Sequence, residues 1–239
     1  MDAVILAGGL GERLRPLTKI IPKPLLPVGE RSVLEITLLA LKRSGVRRVF
    51  VALNYQSELF KAFLGDGSRW GLRIECSVET MPLGTAGPLR LFASQLRRAF
   101  LVINGDILTN LNFRTLLQHH RRSKAMVTVV TKQLSLPLRY GVVTARNGYI
   151  ERVEEKPNIS AEVIAGIYAC EPAVLEYIPP QTYYTMPELI QRLLQEGKPV
   201  AQFRLQDYWL DIGQMEDYER AQQLYDQGAF AAVIGSHGA

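Results

Sequence analysis

A chain of 239 residues, 47% of them hydrophobic, can bury a full core as one α/β domain or as one domain with a modest second lobe. No stretch reaches the ~18 consecutive apolar residues of a membrane span, and the amino terminus runs into a glycine loop rather than a cleavage site, so no membrane partner is expected. Lys and Arg total 28 against 23 Asp and Glu, a net +5 that suits anionic ligands, yet no aromatic residues interleave the basic clusters and nucleic acid is not an expected partner.

Residues 2–7, DAVILA, form an apolar run ending in GGLGER, the pattern of a buried parallel strand feeding a ligand loop. Ser32 and Glu35 predict a capping box, and Leu34, Leu38 and Leu41 carry a helix to Gly45. A strand over 48–53, a helix over 57–64, a strand over 72–78 and a helix over 85–95 follow. This alternation predicts a right-handed, mostly parallel sheet covered on both faces. Residues 99–103 form the next strand and end in Asn104-Gly105-Asp106, where open α/β sheets bind ligands.

After a helix over 114–122 the chain becomes richer in strands, at 126–131, 140–144, 149–153 and 162–170, with a turn at Asn147-Gly148. Helices over 187–196 and 214–227 close the fold, and the tail from Ala229 to Ala239 is expected to be weakly ordered. The expected architecture is a single α/β domain over 1–228. Its two halves, 1–103 and 104–228, would share one continuous sheet. Cys76 and Cys170 stand far apart in apolar stretches and are expected to be buried free thiols of a cytoplasmic protein. His119, His120 and His237 sit at a polar helix end and in the tail, positions that suggest bystanders.

The strongest chemical signal runs from Leu6 through Ala7, Gly8, Gly9, Gly11, Glu12 and Arg13 to Pro16, followed by Pro22-Lys23-Pro24. Glycines let backbone N–H groups approach phosphate oxygens, and a fixed arginine and lysine add charge. A dinucleotide fingerprint would need glycine where Leu14 stands, and a Walker A loop would need Gly-Lys-Ser/Thr, so neither fits.

Five motifs in order make the sequence resemble the sugar-phosphate nucleotidyltransferases: GGLGERLRP with PKP, PLGTAG at 82–87, NGD at 104–106, EEKP at 154–157 and WLDIG at 209–213. The resemblance implies a Rossmann-like sheet whose half over 1–103 binds the nucleotide and whose half over 104–228 binds the sugar phosphate, and a single in-line transfer of a nucleoside monophosphate from a nucleoside triphosphate to a sugar 1-phosphate. It makes Arg13 and Lys23 ligands of the triphosphate, and Asp106 and Asp211 ligands of Mg²⁺. Pro82, Gly84 and Thr85 would line the nucleobase pocket with Leu6, Ala7 and Gly8, and Glu79 could accept from a guanine edge. Gly141, Glu155, Lys156, Ala165 and Gly166 would meet the sugar phosphate, whose oxygen is already anionic and needs no general base.

Glu12 replaces a Ser or Thr found in many relatives, and Ile164 replaces a hydrogen-bonding Asn, which bears on base and sugar choice. The PLGTAG form leans towards guanylyl transfer to mannose or manno-heptose 1-phosphate. Uridylyl or thymidylyl transfer to another sugar 1-phosphate is the alternative. A non-catalytic sugar-nucleotide-binding regulatory subunit is the rival of another class, though it would have no need for Arg13, Lys23, Asp106, Lys156 and Asp211 together. The sequence allows a homo-oligomer without specifying one.

Overall fold

A computed structural model describes residues 1–234. The chain runs β1 (Asp2–Leu6), β2 (Pro27–Val28), β3 (Arg31–Ser32), α1 (Val33–Arg43), β4 (Arg48–Leu53), α2 (Ser57–Leu64), β5 (Arg73–Val78), β6 (Phe100–Asn104), β7 (Ile107–Thr109) and α3 (Phe113–Ser123). It continues through β8 (Val127–Pro137), β9 (Val142–Arg146), β10 (Tyr149–Glu154), β11 (Asn158–Cys170), α4 (Met186–Gln195), β12 (Val200–Arg204), β13 (Trp209–Asp211), α5 (Met215–Asp226) and α6 (Ala231–Ile234).

Seven strands form one sheet in the order β12-β8-β11-β6-β1-β4-β5, in which β11 alone runs antiparallel to its neighbours. This is a mixed, mostly parallel sheet flanked by helices. Alternation along each strand divides the core between the two faces. Ile5, Val49 and Val51 meet Leu34, Leu38 and Leu41 of α1 on one side, while Val4, Phe50 and Val102 meet Leu89, Phe92, Leu189 and Leu193 on the other. Ser32 caps α1 by accepting from Glu35 N, but the Glu35 carboxylate turns to Arg31 instead of closing the capping box. The reciprocal box occurs at α4, between Thr185 and Glu188.

Several expectations are corrected. The helix expected over 85–95 is a 3₁₀ run over Gly87–Phe92, because the N–H groups of Ala86 and Gly87 turn to the carbonyl of Tyr184 instead of starting a helix. The strand at 140–144 shifts to β9 and pairs with β10 as a separate, exposed hairpin. β7 and β13, three residues each, carry too few for a sequence pattern and exist through pairing with each other. His120 is buried at 1% exposure, its Nδ1 2.8 Å from Thr128 Oγ1. It packs α3 onto the sheet. Cys170 is buried and Cys76 only half-buried, and both are free.

The tail also departs from expectation where it is described. Phe230 is 1% exposed and Val233 is buried, and α6 packs against α1. Residues 235–239, with His237, lie outside the described residues. Phe230→Ala should therefore cost about 3–5 kcal/mol in urea unfolding, the range for deleting a buried phenylalanine. A loss under ~1 kcal/mol would show that this segment does not belong to the core.

Candidate active site

The glycine loop leaves β1 at the carboxyl end of the parallel strands. Ala7 N donates to Ala52 O at 2.9 Å, which keeps the chain on the sheet until Gly8. Gly11 has φ +63, and a Cβ there would stand 2.9 Å from Thr18 Cγ2. Thr18 Oγ1 donates to Gly11 O at 2.7 Å, so the loop folds tightly upon itself in a conformation that glycine adopts without strain. Glu12 points outward and pairs with Arg15 at 3.2 Å. Arg13 reaches the turn between β13 and α5, where a Cβ on Gly213 would lie 3.4 Å from its guanidinium. The β2–β3 hairpin that follows Lys23 is tied to α5, since Tyr218 and Gln222 both donate to Pro27 O.

Lys23 Nζ forms an ion pair with Asp106 Oδ2, both side chains largely buried. Asp106 stands between β6 and β7, with Gly105 N donating to Leu6 O at 2.8 Å. A Cβ on Gly105 would be 2.9 Å from that same oxygen, so glycine lets the NGD turn lie against β1. Antiparallel pairing of β13 with β7 sets Asp211 opposite Ile107, and Ile212 N donates to Asp106 O at 3.0 Å. Two carboxylates a hundred residues apart thus stand on adjoining rungs. Burial first, and then the Asp106 charge, push the Asp211 carboxyl up to about 6, with Lys23 and Arg13 opposing.

Asp106 Oδ1 and Asp211 Oδ1 are buried without a hydrogen-bond partner. Among the described residues no group of three or more His, Cys, Asp or Glu could hold a metal, so the protein offers these two oxygens and no closed cage. That donor set fits a hard divalent cation whose remaining ligands are phosphate oxygens and water.

A pH dependence follows. The native carboxyl of Asp211 binds its proton below about 6 and the unfolded one below 3.8, so this group lowers stability progressively as pH rises through that window. Asp211→Asn should accordingly unfold at higher denaturant than the parent protein at neutral pH, and the difference should vanish near pH 4, about the unfolded carboxyl's own pKa. Cation affinity should fall below pH about 6, where Asp211 takes up its proton. A flat titration of both quantities between pH 4 and 8 would contradict the shift.

Beside these groups lies a cavity of about 280 Å³ lined by Leu6, Gly8, Gly9, Glu79, Pro82, Gly84, Thr85 and Asp106 from the sequence reading, together with Asn54, Leu83, Asn104 and Tyr183. Glu79 is half-buried in the cavity wall. Its Oε2 accepts from Leu83 N at 3.0 Å and its carboxyl is raised mainly by burial, with the Leu83 N–H and the Asn54 side chain opposing. Ala165 is fully buried, and its carbonyl accepts from Trp209 Nε1 at 2.8 Å, which joins β11 to the strand carrying Asp211. Gly166, at φ +68, lets β11 pass the Asn104 side chain, 2.7 Å from where a Cβ would stand.

Gly141, Glu155 and Lys156 form a separate group. A Cβ on Gly141 would be 3.0 Å from Glu155 Oε2, and Lys156 Nζ lies 3.8 Å from Glu155 Oε1. Glu155 and Lys156 are 75% and 66% exposed beside the β9–β10 hairpin and do not line the cavity. Asn54, Asn104 and Tyr183 were not singled out as site residues from the sequence. The two asparagines follow or end apolar strands, a position that could have marked them, whereas nothing around Tyr183 in the sequence distinguishes it.

Ligand loops at the carboxyl ends of parallel strands, a cationic glycine cradle and paired carboxylates define a nucleotide-handling α/β protein. A family model described as "Nucleotidyl transferase" matches residues 2–228, and the chain belongs to that family. It is 37% identical over 235 residues to the mannose-1-phosphate guanylyltransferase catalytic subunit beta of Xenopus tropicalis, covering 95% of this chain and 65% of the relative. A mannose-1-phosphate guanyltransferase of Emericella nidulans is 35% identical over 234 residues, 94% of this chain and 64% of the relative. The chain thus spans less than two thirds of the length of these curated relatives. Among solved structures, a Bacillus anthracis protein provisionally named a glucose-1-phosphate thymidylyltransferase superposes with a TM-score of 0.79 at 26% identity, covering 100% of this chain and 98% of that one. Enzymes of this family generally use a divalent metal. No helix among the described residues is long and apolar enough to cross a membrane.

Proposed function

We propose that this protein transfers a nucleoside monophosphate from a nucleoside triphosphate to a sugar 1-phosphate, releasing pyrophosphate. GTP with mannose or manno-heptose 1-phosphate is the leading substrate pair. The observation that carries the reading is the Lys23–Asp106 ion pair with Asp211 on the adjoining rung, beside a glycine-lined cavity. The names of the guanylyltransferase relatives support the choice of GTP and mannose 1-phosphate, as does a half-buried carboxylate at Glu79 able to accept from the N1 and N2 edge of guanine. The Bacillus anthracis neighbour's name keeps thymidylyl transfer as the second reading.

In this mechanism the sugar-phosphate oxygen attacks the α-phosphorus in line. The bond to the bridging oxygen breaks, and its electrons leave with pyrophosphate. Lys23 and Arg13 offset the charge that gathers on the phosphoryl oxygens, and the backbone N–H groups of the glycine loop orient the triphosphate. Asp106 and Asp211 would hold Mg²⁺, which when bound neutralises phosphate charge and fixes phosphate geometry. Lys156 and Glu155, with Gly141, Ala165 and Gly166, serve the sugar phosphate. Residues 1–103 form the nucleotide half and 104–228 the acceptor half. A cytoplasmic setting suits the free, buried thiol of Cys170.

The test is pyrophosphate release with Mg²⁺ and each of GTP, UTP and dTTP against a panel of sugar 1-phosphates. Release with GTP and mannose or manno-heptose 1-phosphate is the expected result. Release with UTP or dTTP alone would move the assignment to the second reading, and nucleotide binding without release under any pairing would favour a non-catalytic role.

A further inference from the structure

Asn54 belongs to no motif, yet it stands in the cavity wall beside Glu79. Strand register puts it there. The parallel pairing of β4 with β5 sets Leu53 against Val78, and Glu79 N donates to Leu53 O at 2.7 Å, so the next residue of each strand, Asn54 and Glu79, leaves the sheet side by side. On the other flank β1 pairs Leu6 with Ala52, and Ala7 N donates to Ala52 O, which brings Gly8 level with Asn54. A Cβ on Gly8 would stand 3.3 Å from Asn54 Cβ and 3.2 Å from Glu79 Oε1. Glycine at this position therefore leaves room for both side chains at the carboxyl ends of adjacent strands.

Within that row the Glu79 carboxylate is held from two directions. Leu83 N donates to its Oε2 at 3.0 Å, and the Asn54 side chain donates to it from beside β4. Burial favours the neutral acid, whereas both of these hydrogen bonds favour the charged form. No neighbouring charge contributes, and the other titratable groups in the cavity wall are Asp106 and Tyr183. The form of the carboxyl group decides which base fits it. A carboxylate offers acceptors alone and complements the adjacent N1 and N2 donors of guanine, while the neutral acid offers one donor and one acceptor and complements N1 and N6 of adenine.

We propose that Asn54 is a positioning residue for base selection, its amide holding the Glu79 carboxylate as a double acceptor for guanine. The inference rests on the nucleotidyl-transfer reading, in which Glu79 meets the base, and adds the group that keeps Glu79 suited to guanine. Without the Asn54 donor a single backbone N–H would oppose burial, and discrimination against adenine would weaken as pH falls.

The experiment titrates the parent protein, Asn54→Ala, Asn54→Leu and Glu79→Gln with Mg²⁺-GTP and Mg²⁺-ATP at about pH 6.5 and about pH 8.5, and reads the ratio of the two affinities. Both nucleotides carry the same triphosphate, so changes at the cation site cancel in that ratio. The parent should favour GTP at both pH values. In Asn54→Ala the ratio should fall about tenfold at the lower pH, the scale of one lost hydrogen bond to a charged group, and return to within about threefold of the parent at the higher. Asn54→Leu, which keeps the bulk without a donor, should behave alike. Glu79→Gln should show a low ratio at both, because an amide cannot present two acceptors. A ratio left unchanged in both Asn54 variants, or an equal loss of GTP and ATP affinity at both pH values, overturns the proposal. A parent that binds ATP as well as GTP overturns the assignment of Glu79 to guanine, and a parent that binds none of GTP, ATP, UTP and dTTP overturns the nucleotidyl-transfer reading, so the failures are told apart.

Discussion

Asp211→Asn should lower kcat on the order of a thousandfold while raising stability at neutral pH, two opposite effects of one substitution. Asp211 is held, partly desolvated, next to Asp106, an arrangement that burdens the protein without ligand and, in the proposed mechanism, would become favourable once a divalent cation and phosphates enter. The orphaned Oδ1 atoms of both aspartates have no other task among the described residues. Asparagine keeps the shape and removes the charge, so the protein should fold, bind sugar 1-phosphate and fail in transfer. Steady-state pyrophosphate release and urea unfolding on the same preparation check both halves. Unchanged turnover in this variant would remove Asp211 from the chemistry, and a fall in both activity and stability would give it a structural role.

Lys23→Ala is expected to reduce kcat by about two to three orders of magnitude. The ammonium sits between the glycine loop and Asp106 on a 3₁₀ turn over Lys23–Leu25, with Pro22 before it and Pro24 within it, so its position is set by the backbone. Without nucleotide it pairs with Asp106, and in the proposed mechanism it would face the phosphoryl group under attack. Lys23→Arg should not rescue, because a planar fork does not replace a compact point charge in this space. A Lys23→Ala variant with parental kcat and a raised KM for nucleotide would show that the lysine binds ground and transition states equally.

Much of the fold was legible because apolar runs of the first half end in ligand loops and alternate with helical spacing, and burial on both faces of a parallel sheet demands that pattern. Asp106 could be placed at a strand end for the same reason. Asp211 could be paired with it only by resemblance, since β13 has three residues and owes its existence to β7. The hairpin carrying Glu155 and Lys156 was legible as strands, yet its separation from the cavity was not, because exposed strands with apolar side chains read like buried ones. The burial of His120, a bystander at a polar helix end in the sequence, was not legible because its partner, Thr128, lies on the next strand.

Local chemistry within single segments was thus written in the sequence: the glycine cradle, the lysine between prolines, the strand–helix alternation and the capping residues all act over a few positions, where spacing alone states the geometry. Whatever requires two distant segments to meet was decided by the tertiary structure. The carboxylate pair, the place of Tyr183 in the cavity wall and the burial of Phe230 all depend on contacts between elements up to a hundred or more positions apart. A one-dimensional pattern carries no term for those contacts.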